Sequence, residues 1–314
     1  MPATNSALGG VQCPRCMGSL NPAGFCDACG LLLSAAELRA GDVDMASPDP
    51  ESPKALPLKI DLPPDLALVS DIGRHHAENQ DYGMVGRSES GNVVIVVADG
   101  VSSSENADVA SATAVAAAYN ELIQASADQP GPEVVQRAVA IAHAAVMEIP
   151  YVRRDKEEPE TTIVVALVRG SVATIAWVGD SRAYTVNPGY ARLLTRDDSW
   201  LADAMEAGKL TLAEAMADVR SHSITQCLGM LAEPIRIHVR TVKLDPGTWV
   251  LLCTDGLWNY FDSPAEMAER VNEAGEDADA FELCQYLVKL ANNGGGHDNI
   301  TVGAYYHHGA GKSR

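Results

Sequence analysis

Apolar residues along the chain fall into two rhythms. Val93–Ala98, Ile163–Val168, Ala173–Val178, Trp249–Cys253 and Ile300–Tyr305 are short runs of strand length, rich in β-branched side chains. Helical spacing governs 132–149, where Val135, Val139, Ala142, Val146 and Ile149 share one stripe and Pro132 suits a first turn. The Ala-rich stretch 107–123 predicts a second helix. A third falls at 279–292, with Phe281, Cys284, Leu287, Val288 and Ala291 on one side. Cys253 and Cys284 sit inside apolar runs and read as small buried hydrophobes. Strands and helices mix without strict alternation, which favours an α+β fold over a doubly wound parallel sheet. No internal repeat is present.

The globular pattern begins near residue 66 and holds to about 308. Before it, Pro48, Pro50, Pro53, Pro57, Pro63 and Pro64 interrupt a stretch that also carries Asp42, Asp44, Asp49 and Glu51. Such a segment buries too little apolar surface to offset the entropy of ordering, so 41–65 reads as a linker of moderate stiffness. Ahead of it, Cys13-Pro-Arg-Cys16 and Cys26-Asp-Ala-Cys29 form two matched Cys-x-x-Cys knuckles within residues 11–34. Four thiolates at this spacing suit one tetrahedral, structural zinc, and a segment this short needs such a clip because it cannot build its own core. The spacing resembles a zinc ribbon.

Composition narrows the class. Lys plus Arg total 23 against 42 Asp plus Glu, a net charge of −19, which disfavours a nucleic-acid partner recognised through its phosphates. Val93–Ala98 is among the longest aliphatic runs, far short of the ~18 residues of a membrane span. With no basic and apolar leader pattern, a cytoplasmic, soluble protein without a membrane partner is expected. Seven cysteines, four of them in the ribbon, argue for reduced thiols rather than a disulfide framework.

The remaining candidate chemistry is acidic. Val93–Ala98 runs into Asp99-Gly100, Ala176-Trp-Val-Gly179 into Asp180-Ser-Arg182, and Trp249–Thr254 into Asp255-Gly256; Asp298-Asn299 directly precedes a strand, and Asn79-Gln80-Asp81 follows a polar turn. Each pair alone is open to a plain turn reading. If the carboxylates meet, any two ~4 Å apart repel by ~4 kcal/mol at an effective dielectric of 20, which protons or divalent cations must relieve. Oxygen ligands suit magnesium or manganese rather than zinc. Other hydrolytic signatures are missing from the sequence: no cysteine has Arg six residues on, and neither Gly-x-Ser-x-Gly nor His-Glu-x-x-His occurs. Gly311-Lys-Ser313 ends like a P-loop, but position 306 is Tyr and no helix can follow.

Taken in order, Ser70-Asp-Ile-Gly73, Asn79-Gln-Asp81, Ala98-Asp-Gly100, Gly179-Asp-Ser-Arg182, Cys253-Thr-Asp-Gly-Leu257 and Asp298-Asn-Ile-Thr301 resemble the bacterial metal-dependent protein phosphatases of the 2C (PPM) type. The resemblance covers roughly 66–306. It implies a central sandwich of two antiparallel β-sheets flanked by helices, and a phosphatase domain spanning 66–308. It also implies a serine/threonine phosphoprotein phosphatase that hydrolyses phosphomonoesters with water activated by two Mn2+ or Mg2+ ions, without a covalent enzyme intermediate. Asp99 would bridge the metals, the Gly100 carbonyl would bind one, Asp255 and Asp298 would hold the other, and Asp81 would support the cluster. Asp180 would bind the third metal found in many members. Residues 195–229 would form a flap that selects substrate. The partners implied are phosphorylated proteins and, with them, an opposing serine/threonine kinase and its targets. The sequence departs from the bacterial pattern at two places: His76 stands where many members carry a phosphate-binding Arg, with Arg74 two residues earlier, and Val101-Ser-Ser-Ser104 replaces a Gly-rich or His-containing turn. The alternative reading is a pseudophosphatase or a phosphoprotein-binding adaptor recruited through the ribbon.

Overall fold

The computed structural model describes residues 58–152, 158–221, 223–230, 234–275 and 278–309. The ribbon expected at 11–34, with Cys13, Cys16, Cys26 and Cys29, lies outside the described residues, as does the linker up to residue 57. Its last part is corrected: 58–62, read from its prolines as linker, is a strand. This strand, β1 (Leu58–Leu62), pairs antiparallel with β2 (Leu66–Asp71) across the turn at Pro63 and Pro64.

The chain continues through β3 (Asp81–Arg87) and β4 (Val93–Asp99), then two helices, α1 (Ala107–Gln124) and α2 (Gly131–Met147). Four strands follow: β5 (Ile163–Arg169), β6 (Val172–Val178), β7 (Arg182–Asn187) and β8 (Tyr190–Leu193). Two short helices, α3 (Trp200–Glu206) and α4 (Leu212–Met216), stand on the expected flap. After them come β9 (His238–Lys243), β10 (Thr248–Cys253), α5 (Asp255–Trp258), α6 (Pro264–Glu273), α7 (Ala280–Asn293) and β11 (Ile300–His307). One sheet runs β1-β2-β11-β10-β7-β8 and the other β3-β4-β5-β6-β9, with every neighbouring pair antiparallel.

The two sheets lie face to face. Val93, Ile95 and Val97 of β4 meet Leu66, Leu68, Val250 and Leu252 of the other sheet between the layers. The alternate residues Val94, Val96 and Ala98 pack outward against α1 and α2, whose Ala114, Ala118, Val135 and Val139 form the apolar stripes. On the opposite side Leu251, Cys253, Val302 and Ala304 pack against α6 and α7. Both faces of the central strands are therefore buried, which is why they read as unbroken apolar runs rather than as an alternation. The α+β sandwich implied by the resemblance is the observed fold, and Cys253 and Cys284 are buried within it.

Candidate active site

Five carboxylates lie at one end of the sandwich because each sits where a strand begins or ends. Asp81 is the first residue of β3 and Asp99 the last of β4, and the antiparallel register sets them directly opposite each other. Asp180 follows β6. From the other sheet, Asp255 follows β10 as the first residue of α5, and Asp298 stands two residues before β11. Gly256 allows this convergence: a Cβ there would lie 1.9 Å from the Asn299 carbonyl oxygen, so only glycine lets the two loops touch.

The electrostatics of Asp81, Asp99, Asp180 and Asp255 are those of crowded, desolvated acids. Burial, with the Asp255 and Asp298 charges adding to it, lifts the Asp81 carboxyl to about 8 against the pull of the Thr254 hydroxyl. Burial and the neighbouring Asp255 and Asp197 charges push Asp180 to about 8. Asp255 rises to about 6 through burial and Asp298. Asp99 is raised well above its ordinary value by burial and then by Asp81, Asp255, Asp180 and Asp298, so it feels all four of the others. Among the described residues, Asp81 Oδ1 and Asp255 Oδ1 are buried and find no hydrogen-bond partner. Such atoms are costly unless something cationic satisfies them, and an all-oxygen donor set fits a hard divalent cation. Among the described residues no three His, Cys, Asp or Glu side chains are already closed around a single point.

The arrangement has counterparts among known proteins. The family model "Protein phosphatase 2C" matches residues 72–289. The chain belongs to the protein phosphatase 2C family. Protein phosphatase PhpP of Streptococcus pneumoniae is 32% identical to this phosphatase over 243 residues, 76% of this chain and 95% of that protein. The serine/threonine phosphatase of S. agalactiae superposes with a TM-score of 0.68 at 28% identity, covering 77% of this chain and 99% of that one. The catalytic domain of the serine/threonine phosphatase PstP, crystallised with two manganese ions, has a TM-score of 0.63 at 27% identity, covering 76% and 96%. This chain is a serine/threonine protein phosphatase, a hydrolase of the PPM type. No helix among its described residues is long and apolar enough to cross a membrane.

Around the acids the phosphatase places a scaffold whose long-range hydrogen bonds the motifs alone do not reveal. Thr254 donates its hydroxyl to Asp81 Oδ2 at 2.8 Å and accepts from the Thr301 N–H at 3.0 Å, tying the ends of β3, β10 and β11 together. Asn299 accepts from the Gln80 N–H at 2.7 Å and donates to the carbonyls of Ile72 and Glu78 at 2.9 and 3.1 Å. One amide therefore anchors the loop that carries Arg74 and His76. Thr161 and Thr162 secure Asp99: Thr161 Oγ1 and the Thr162 N–H both donate to its carbonyl at 2.8 Å. The two candidates on the loop separate. His76 Nε2 stands 3.2 Å from Asp298 Oδ1, while Arg74 is exposed and bonds Gly296 through its backbone.

Proposed function

We propose that Asp99, the Gly100 carbonyl, Asp255 and Asp298 hold two divalent cations, Mn2+ or Mg2+, with Asp81 supporting the cluster and Asp180 binding a third. The observation that carries this reading is the pair of buried, unpartnered oxygens of Asp81 and Asp255 amid five converging carboxylates. The two manganese ions crystallised in the PstP relative support it. When bound, such ions acidify water and offset charge on the phosphoryl oxygens. The protein's own part is positioning. Asp81 and Asp99, fixed by strand register, hold negative charge where the cations are needed, and Asp255 and Asp298 bring the second sheet to the same place. Arg74 supplies a fixed positive charge for the substrate phosphate at the rim, and His76 orients Asp298. Phosphorylated proteins are the substrates, which implies an opposing kinase. The complete carboxylate set leaves the non-hydrolytic adaptor reading without an observation of its own.

A phosphoester assay with Mn2+ and with chelator tests the reading, together with Asp99→Asn. The variant is expected to lose more than ~100-fold in kcat while keeping its circular dichroism. Substantial Mn2+-dependent turnover by Asp99→Asn would refute the assignment. The zinc reading of Cys13, Cys16, Cys26 and Cys29 rests on their spacing. One zinc per chain is expected by metal analysis of protein purified under reducing conditions, and Cys16→Ser is expected to release it.

A further inference from the structure

Asp198 stands at the foot of the flap, buried, with both carboxylate oxygens and both backbone groups engaged. Its N–H donates to the Gly179 carbonyl at 3.0 Å, and its Oδ2 accepts from the Gly179 N–H at 3.0 Å, so it holds both polar groups of that residue. Gly179 has φ +101° and directly precedes Asp180. The same Oδ2 accepts from Gln226 Nε2 at 3.0 Å, and the Asp198 carbonyl accepts from the Thr225 N–H at 2.8 Å, which fastens the far foot of the flap. Oδ1 lies 2.8 Å from His238 Nε2 on β9. His238 is itself stacked on Trp177, with ring centroids 5.0 Å apart at 16°, and Trp177 Nε1 donates to the Arg196 carbonyl just before the flap. The neck above Asp198 is pinched by Ser199 opposite Ile224 and by the Trp200 N–H on the Ser223 carbonyl.

We propose that Asp198, braced by His238, is a positioning residue for Asp180. It fixes the backbone of the turn that presents this ligand and couples that turn to the two feet of the flap. The inference rests on the reading of Asp180 as ligand of the third cation. Two other contacts hold the turn, Trp258 Nε1 on the Asp180 carbonyl at 3.0 Å and Thr162 with Ser181 at 2.8 Å, so loss of the Asp198 carboxylate loosens the ligand without releasing it. Substitutions in such supporting shells typically cost ~10–100-fold in metal affinity, and the lower end is expected here.

The experiment titrates the full-length protein with Mn2+, following bound ion by electron paramagnetic resonance and calorimetry, for wild type, Asp180→Ala, Asp198→Ala and Asp198→Asn. Asp180→Ala is expected to abolish the weakest site, and survival of that site would overturn both the ligand reading and the proposal. Asp198→Ala keeps the backbone bond to Gly179 but loses its side-chain bonds. It is expected to weaken the third site about 10-fold, leave the two tight sites unchanged, and speed tryptic cleavage at Lys209 on the loosened flap. Asp198→Asn is expected to restore near wild-type binding, because its oxygen still accepts from Gly179 while its amide donates to a neutral His238 Nε2. Wild-type affinity at the third site in Asp198→Ala, with that site lost in Asp180→Ala, would overturn the proposal. Should Asp198→Ala fail to fold, His238→Phe keeps the stacking on Trp177 and removes the brace, and a loss of about 3-fold at the third site is expected. No loss there would overturn the proposal equally.

Discussion

On the proposed reading, Arg74 and His76 leave the same turn for different tasks. Arg74 is exposed, whereas His76 lies 3.2 Å from a carboxylate assigned to the metals. If Arg74 binds the substrate phosphate as proposed, Arg74→Ala would remove a charge-assisted contact worth about 1.5–3 kcal/mol, so KM for a phosphopeptide is expected to rise at least ~10-fold at saturating Mn2+. His76→Ala is expected instead to raise the Mn2+ concentration for half-maximal activity and to leave KM nearly unchanged. A raised KM with an unaltered Mn2+ requirement would put His76 on the phosphate. Both residues were visible in the sequence as a departure at one loop, and only the fold could separate them, because Asp298 lies more than two hundred positions away. Thr254 and Asn299 were legible only as parts of motifs. Their work depends on partners 173 and 219 residues distant, Asp81 and Gln80, which no local pattern reveals. Asp198 and His238 carried no local signal either, since their pairing follows from β9 lying beside β6.

Most elements with both faces buried were readable, although β2, buried on both faces, was not picked out; edge and flap elements were not readable. β4, β5, β6, β10 and β11 are apolar along nearly their whole length, and α1, α2 and α7 carry plain apolar stripes. By contrast β3 is broken by Gly83 and Gly86, β9 is a half-exposed edge strand, and α3 and α4 are short helices with exposed outer faces. The missed α6 did have a signal. Ser263 caps Glu266 N–H and Pro264 occupies the first turn, a start signature that a capping search would find. At this scale the close approach at α5 is the exposed weakness. Gly256→Ala drives a methyl into the backbone at Asn299, so the loop bearing Asp298 must move. Stability is expected to fall by about 1–3 kcal/mol in urea titrations, and kcat by more than ~10-fold even at high Mn2+. Unchanged kcat would mean that the loop yields without disturbing the ligands.

Across the whole molecule, the acid cluster makes folding respond to pH in an unusual direction. Asp81 and Asp180 have folded values of about 8 against an ordinary 3.8, so the folded state holds protons that the unfolded chain releases. Their stabilising contribution is complete below about 4 and is lost as pH rises through 8, at up to about 1.4 kcal/mol per pH unit for each proton. Half-buried His143 and buried His307, lowered from 6.5 by desolvation, act in the opposite sense only below that value. Between pH 6.5 and 8 the chelated protein is therefore expected to lose thermal stability, while Mn2+, which requires ionised ligands, stabilises it increasingly. A melting temperature that holds or rises with pH in chelator would contradict this. The cluster also draws Asp81 and Asp99 from one sheet, Asp255 and Asp298 from the other, and Asp180 from the turn that passes between them, with Thr254 already spanning the gap to Asp81. A cation shared by these groups fastens one sheet to the other at that end alone. Partial opening of the sandwich then becomes lopsided: amide hydrogens of Thr254 and Thr301 should exchange far more slowly with Mn2+ bound, while those at Thr248 and His307, at the opposite ends of the same strands, keep their rates.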